Sequence, residues 1–204
     1  MQLVFATNNA HKLQEVRQIL PAAYEVLSLS DIGFHEDIEE TGTTIEENSM
    51  LKARTTLNWL KAKHPETVNA MLGVIADDTG LEVEALQGAP GVYSARYAGE
   101  PANDANNRRK LLNALQPYST DRRQARFRTV VTLLRSTGEE MQLEGVARGC
   151  IAEQEKGDRG FGYDTLFIPE GYTRTFAQLS ADEKNNISHR GRAIQQLCNY
   201  LSEL

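Results

Sequence analysis

Leu72-Gly73-Val74-Ile75-Ala76, followed at once by Asp77-Asp78-Thr79-Gly80, is the stretch on which the reading of this chain turns. The apolar run reads as a buried strand by composition. Two adjacent acids at the end of such a strand cannot both point into the core. At least one should reach an open cleft, where a carboxylate can bind Mg²⁺ or act as a general base. The same tetrapeptide also reads as an acidic turn whose Asp side chains satisfy local amides, and taken alone it reads more readily that way.

Upstream, Thr43 or Thr44 with Glu46 or Glu47 three residues on makes two overlapping capping boxes. They open a long helix through Met50, Leu57 and Leu60 that ends near Pro65. Before it lie an acidic loop with Glu36, Asp37, Glu39 and Glu40, a strand over Tyr24–Leu29, a helix carrying Leu13, Val16, Ile19 and Leu20, and a first strand over Leu3–Ala6. Downstream, Leu81, Val83 and Ala85 alternate with Glu82 and Glu84 as a half-exposed strand. A helix over Asn103–Gln116 stops at Pro117, and the runs Gln124–Arg135 and Met141–Cys150 flank Ser136-Thr137-Gly138-Glu139 as a hairpin. A loop with spaced glycines from Gly157 to Gly162 precedes a last strand over Thr165–Ile168. Ser180 and Glu183 form another capping box, and Ile194, Leu197, Cys198 and Leu201 have the spacing of a docked amphipathic helix. Strands and helices alternate early and a hairpin dominates later, which indicates an α/β fold with a mixed sheet.

The 204 residues fit one ordinary domain, and 40% hydrophobic with 25% charged residues supply a globular core. The balance of 22 Lys and Arg against 28 Asp and Glu gives a net charge of −6, a poor basis for non-specific binding of nucleic acid or anionic membrane. A small polyanion in a local basic pocket remains compatible with it. Cys150 and Cys198 lie far apart with no partner at metal-ligand spacing, so buried free thiols in a reducing compartment are expected. Met1–Lys12 lacks the basic segment and apolar stretch expected of a secretory signal, and the longest apolar run, Ala70–Ala76, is far short of the roughly 20 residues of a membrane helix. The expected location is cytoplasmic.

Three further clusters carry candidate chemistry. Thr7-Asn8-Asn9-Ala10-His11-Lys12 lies between a strand and a helix, where free amides and a lysine one turn in can cradle phosphate; an ordinary helix cap with Lys12 in solvent fits equally well. Phe161-Gly162-Tyr163-Asp164 can stack on a nucleobase and accept from a ring N–H, or place both aromatics in the core. Lys184 with Ser188-His189-Arg190 puts three basic groups within seven positions, a clamp for an anion or a carbonyl oxygen.

Taken in order, these blocks resemble the inosine triphosphate pyrophosphatase family, whose members hydrolyse non-canonical purine nucleoside triphosphates. The resemblance runs over almost the whole chain: Thr7–Lys12, Glu39-Glu40-Thr41-Gly42 with Glu47-Asn48, Ile75–Leu81, Gly88–Tyr97, Phe161–Asp164 and Ser188-His189-Arg190. It implies a mixed, twisted central sheet flanked by helices, with two lobes and the active cleft between them, all in one domain over 1–204. It also implies conversion of ITP, dITP and XTP to the monophosphate and pyrophosphate with Mg²⁺ (or Mn²⁺), in a homodimer, with a nucleotide and neither nucleic acid nor membrane as partner.

By the same resemblance, Thr7, Asn8, Asn9, Ala10, His11 and Lys12 bind the triphosphate. Asp78 is proton acceptor and metal ligand, and Glu40, or failing that Glu39, is the second acid at the metal. Thr79, Phe161, Gly162, Tyr163, Asp164, Lys184, His189 and Arg190 line the nucleotide. Thr79 replaces a residue that is often serine, Asn8 stands where many members have glycine, and Asp158-Arg159 precede Gly160 where small residues are usual. Two rival readings are a Maf-like pyrophosphatase for pyrimidine or modified nucleotides, and a nucleotide sensor without turnover. The acids at Glu40 and Asp78 count against the sensor, which needs no general base.

Overall fold

β1 (Gln2–Phe5) buries Leu3, Val4 and Phe5 and leads through Thr7 and Asn8 into α1 (Ala10–Ile19). The computed structural model describes residues 1–203. Asn9 caps α1 by accepting from the amides of His11 and Lys12. β2 (Glu25–Ser28) pairs parallel with β1, Leu3 opposite Val26. α2 (Ile45–Lys63) opens on a capping box in which Thr44 and Glu47 satisfy each other's backbone amides. Pro65 then starts a separate short helix, α3 (Pro65–Ala70), which the sequence reading does not resolve; proline is tolerated there because a first-turn residue has no intrahelical N–H bond to lose.

β3 (Met71–Val83) corrects the expectation of two strands with an acidic break between them. It runs for 13 residues straight through Asp77-Asp78-Thr79-Gly80. Lysines meet both carboxylates, so the strand need not turn outward to solvate them. Gly80 is required by close approach: a Cβ there would lie 2.9 Å from the carbonyl oxygen of Gly91, in the two-residue strand β4 (Pro90–Gly91) that pairs antiparallel with Leu81 and Glu82.

α4 (Asp104–Leu115) is capped by Asn103. β5 (Gln124–Arg135) and β6 (Glu140–Ile151) are joined by the expected tight turn, with Gly138 at φ +95°. β7 (Phe167–Pro169) is shorter than anticipated and pairs antiparallel with β6, Cys150 opposite Ile168. α5 (Ala181–Ile187) and α6 (His189–Leu201) close the chain. The strand order is β2-β1-β3-β5-β6-β7, with β4 on β3, so the sheet is mixed and the fold is α/β.

The chain forms two compact units interleaved in sequence. The first comprises Met1–Asp78, Thr129–Glu144 and the tail from Ala193; the second comprises Thr79–Arg128 and Gly145–Arg192. The boundary within β3 falls between Asp78 and Thr79. In the first unit both faces of the strands are covered, which is why they read as unbroken apolar runs. Leu3, Phe5 and Ile75 pack with Val16 of α1 and Ile194, Leu197 and Leu201 of α6, while Val4, Val74 and Ala76 pack with Ala53, Leu57 and Leu60 of α2. In the second unit Leu81, Val83, Phe127, Phe167 and Phe176 pack with Leu111 and Leu115 of α4. Cys150 and Cys198 are free, as expected, but half-buried rather than fully enclosed, and burial pushes both thiols up. Among the described residues no helix is long and apolar enough to cross a membrane.

Candidate active site

Successive residues of a strand face opposite sides, so the adjacent acids of β3 meet different helices. Asp77, on the face covered by α1, accepts from Lys12 Nζ at 2.9 Å. Asp78, on the face covered by α2, lies 3.5 Å from Lys52 Nζ and accepts from Asn48 Nδ2 at 3.3 Å. Lys52 Nζ also donates to Glu40 Oε1 at 2.5 Å. Glu40 is therefore the acid of the 36–40 loop that turns inward, while Glu39 is exposed.

Asn48 ties the loop to the strand, since its Oδ1 accepts from the amide of Gly42 at 2.8 Å while its amide group reaches Asp78. Beside it, Ser49 donates to the carbonyl of Ala76 at 3.1 Å and shares a 2.8 Å hydrogen bond with Thr132. α2 is thus pinned to the segment of β3 that carries the acids.

Three carboxylates (Glu40, Asp77, Asp78) and two ammoniums (Lys12, Lys52) leave this cluster one negative charge in excess. Burial raises Asp78 above the usual carboxylate range, outweighing the pull of Lys52 and Lys12; Glu40 and Asp77 push the same way as burial. Burial works to lower Lys52, but Asp78, Glu40 and Asp77 together hold it above its ordinary value, so it stays charged. A buried carboxyl with a raised pKa is suited to accept a proton near neutrality.

The donor set also fits Mg²⁺. Glu40 and Asp78 both reach Lys52 Nζ and so offer two hard oxygen ligands close together. Among the described residues no group of three or more His, Cys, Asp or Glu forms a complete cage. Mg²⁺ is commonly held this way, by one or two carboxylates with phosphate oxygens and water completing its shell.

The second unit holds a different cluster. Asp164 is 3% exposed, and its Oδ2 accepts from Lys184 Nζ at 2.7 Å and from the amide of Phe161 at 2.9 Å. Gly160 must be glycine: its φ is +75°, and a Cβ would collide with that carboxylate. The half-buried Phe161 ring has Lys184 Nζ 5.1 Å and Arg190 Cζ 5.7 Å from its centroid. Arg190 is 1% exposed and donates to Thr79 Oγ1 at 3.2 Å. His189 stacks on Phe127 with centroids 4.5 Å apart. These two residues lie deep because α5 and α6 abut closely. Ser188 Oγ accepts from the amide of Gly191, and a Cβ on Gly191 would collide with the carbonyl of Asn185.

Of the residues singled out from sequence, Lys12 and Asp78, with Glu40, fall in the first cluster. Thr79, Phe161, Gly162, Asp164, Lys184, His189 and Arg190 fall in or beside the second. Tyr163 is 4% exposed in the apolar core and its hydroxyl donates to the carbonyl of Ser94 at 2.8 Å, so its ring supports the loop from within. The phosphate-cradle reading of 7–12 is corrected in one respect. The amides of His11 and Lys12 are not free but donate to Asn9 Oδ1, and Thr7 Oγ1 accepts from the amide of Asn9. Asn8, Ala10 and His11 are exposed at the start of α1.

Sequence reading missed Lys52 as a site residue. The available signal was its place in the stripe Asn48-Ser49, Lys52-Ala53, Thr56-Leu57, Leu60, which recurs every three or four residues and is buried throughout. A lysine on the core side of a helix needs an acidic partner.

The chain matches the Ham1 family over residues 3–200. It belongs to the Ham1 family. It is 49% identical over 200 residues to the dITP/XTP pyrophosphatase of Flavobacterium psychrophilum, covering 98% of each chain, and 47% identical over 203 residues to that of Christiangramia forsetii, covering 100% of each. Among solved structures it is similar to a HAM1 protein from Coxiella burnetii, with a TM-score of 0.85, 37% identity and complete coverage of both chains. The resemblance drawn from the ordered sequence blocks and the match to the Ham1 family point the same way.

Proposed function

We propose that this Ham1-family chain hydrolyses non-canonical purine nucleoside triphosphates (dITP, XTP and ITP) to the monophosphate and pyrophosphate, with Mg²⁺, and so removes them from the nucleotide pool. The observation that carries the reading is Asp78, buried with a raised pKa among Lys52, Glu40 and the Lys12–Asp77 pair, in a chain aligned end to end with dITP/XTP pyrophosphatases.

Asp78 accepts a proton from the water that attacks the α-phosphorus, or orients that water, and the pyrophosphate leaves as the new P–O bond forms. Lys12 and Lys52 present fixed positive charge to the phosphates; because Asp77 and Glu40 already hold them, little reorganisation is needed when charge builds on the leaving group. Glu40 and Asp78 would hold Mg²⁺, which when bound offsets charge on phosphate oxygens.

The second cluster takes the base. Hypoxanthine and xanthine carry an acceptor oxygen at position six and an N1–H, whereas adenine carries an amino donor and a bare N1. Donors from His189 and Arg190 pair with the oxygen, Asp164 suits the N–H, and Phe161 offers a face for stacking. Adenine would leave those donors facing an amino group.

A panel of triphosphates assayed with Mg²⁺, with products identified by phosphorus NMR, tests the reading. Pyrophosphate from dITP, ITP and XTP in preference to ATP and pyrimidine nucleotides is expected. Orthophosphate, a preference for pyrimidine substrates, or no turnover would each overturn it.

A further inference from the structure

Phe161 is the half-buried ring of its loop, and its direction depends on how the backbone around it is held. On its N-terminal side the amide of Phe161 donates to Asp164. On its C-terminal side the chain passes through Gly162 at φ +58°, a left-handed conformation that leaves the loop free to swivel unless its peptide groups are fixed. They are fixed from α4. The amide of Gly162 donates to Asp104 Oδ2 at 2.7 Å, and the carbonyl of Gly162 accepts from Arg108 Nη1 at 2.9 Å. Arg108 is in turn oriented by Glu155, which accepts from its Nε at 2.8 Å and from Thr165 Oγ1 at 3.0 Å.

Asp104 and Arg108 are four residues apart on α4 and so share a face, which Asn107 shares too. Asn107 holds the neighbouring segment by donating to Ala95 O at 2.8 Å and accepting from the amide of Ala98 at 2.7 Å. That segment includes Ser94, whose carbonyl accepts from Tyr163. One helix face thus grips the chain on both sides of the loop. Asp104 is exposed and contributes little to the core, yet its carboxylate binds an amide 58 positions away.

We infer that Asp104 and Arg108 are positioning residues for base recognition: they fix the two peptide groups of Gly162 and thereby aim the Phe161 ring at the base. The inference rests on the reading of Phe161 as the base-stacking residue. It deepens that reading by placing part of substrate affinity in a helix that carries neither cluster.

The test is steady-state kinetics on ITP with Mg²⁺. Asp104→Ala is expected to raise KM by about three- to tenfold, the loss of one charge-assisted but solvent-accessible hydrogen bond, with kcat within about twofold of the parent. Asp104→Asn keeps a side-chain oxygen acceptor and is expected to restore KM. Arg108→Lys keeps the charge but not the rigid fork and should raise KM by about two- to threefold. In a Phe161→Ala background, Asp104→Ala should add almost nothing, because its effect runs through the missing ring.

An Asp104→Ala enzyme with parental KM, or effects of Asp104→Ala and Phe161→Ala that simply multiply, would overturn the inference while leaving the base-stacking reading intact. A parental KM in Arg108→Lys removes Arg108 from the assignment. A parental KM in Phe161→Ala overturns the stacking reading itself, and this inference with it. A fall in kcat with KM unchanged in Asp104→Ala would mark a general structural role and also count against it.

Discussion

Lys52 and Lys184 are both deeply buried, at 8% and 7% exposure, yet their surroundings differ in kind. Lys52 faces Glu40 and Asp78, with the Lys12–Asp77 pair on the opposite face of the same strand, so acids outnumber bases. Lys184 pairs with Asp164 and lies 5.1 and 5.8 Å from the centroids of Phe161 and Phe176. The first arrangement is charge-unbalanced and holds a carboxyl that resists ionisation. The second sets an ion pair among aromatic neighbours. Carboxylates in excess suit a place that holds protons and metal cations, while an ion pair beside aromatic rings suits the recognition of a flat, weakly polar group.

Asp78→Asn should break the first cluster's function most severely. Removing the proposed proton acceptor is expected to lower kcat by about 10²- to 10⁴-fold. The same substitution should raise the melting temperature at neutral pH. The folded pKa of Asp78 lies above its unfolded value, so the folded state holds the proton more tightly, and the group's contribution to stability falls as pH rises between the two values and stays low above both. Asparagine escapes that penalty. Pyrophosphate release and thermal unfolding, measured on the same preparation, check both halves; a variant both inactive and destabilised would indicate a structural Asp78.

Lys184→Met should behave oppositely. It removes the buried ammonium that faces the Asp164 carboxylate, with both side chains less than a tenth exposed, and is expected to cost about 3–5 kcal/mol of stability, read from denaturant unfolding. Should Lys184→Met unfold at the same denaturant concentration as the parent, the contrast between the clusters would collapse. Arg190→Lys is a smaller change, since charge is kept while the planar fork over Phe161 and its bond to Thr79 are lost. It should narrow the preference for ITP over ATP by about tenfold, and an unchanged ratio of kcat/KM values would remove Arg190 from base discrimination.

The parts of the fold legible in the sequence were those with local signals. The capping boxes at Thr44 and Ser180, the helix cap in the Thr7–Lys12 stretch, the hairpin turn and the i, i+3, i+4, i+7 spacing of α6 are all present as read. The break expected at Asp77-Asp78 was not there. Sequence shows two acids in a strand but not the lysines from two helices that allow a strand to keep them, because those contacts cross 65 and 26 positions of chain. The same limit hid Lys52 and the grip of α4 on Gly162, both long-range pairings of residues with ordinary surface composition. The residues alone left open whether Phe161 and Tyr163 lie in the core or in a pocket; the bond to Ser94 shows that the Tyr163 ring faces inward.

The mildest perturbation of the second cluster comes from Glu183, the residue before Lys184. Its carboxylate accepts from the amide of Ser180 at 2.8 Å and from Arg174 Nη2 at 2.7 Å, which holds α5 at its first turn. Chiefly the Ser180 amide, and after it Arg174, depress the Glu183 carboxyl from the ordinary 4.5 to about 2. A depressed folded pKa stabilises the protein above the unfolded value, and that contribution is lost as pH falls from about 4.5 through about 2. Glutamine keeps an oxygen for the capping bond but never carries the charge, so Glu183→Gln should melt slightly below the parent at neutral pH. The gap should close steadily through that acid window. Because the pair is exposed and screened, the effect is the smallest of those considered, and it should shrink further in salt. A melting-temperature gap that stayed constant from pH 7 to pH 2 would mean that the cap, and not the charge, anchors the helix that presents Lys184 to Asp164.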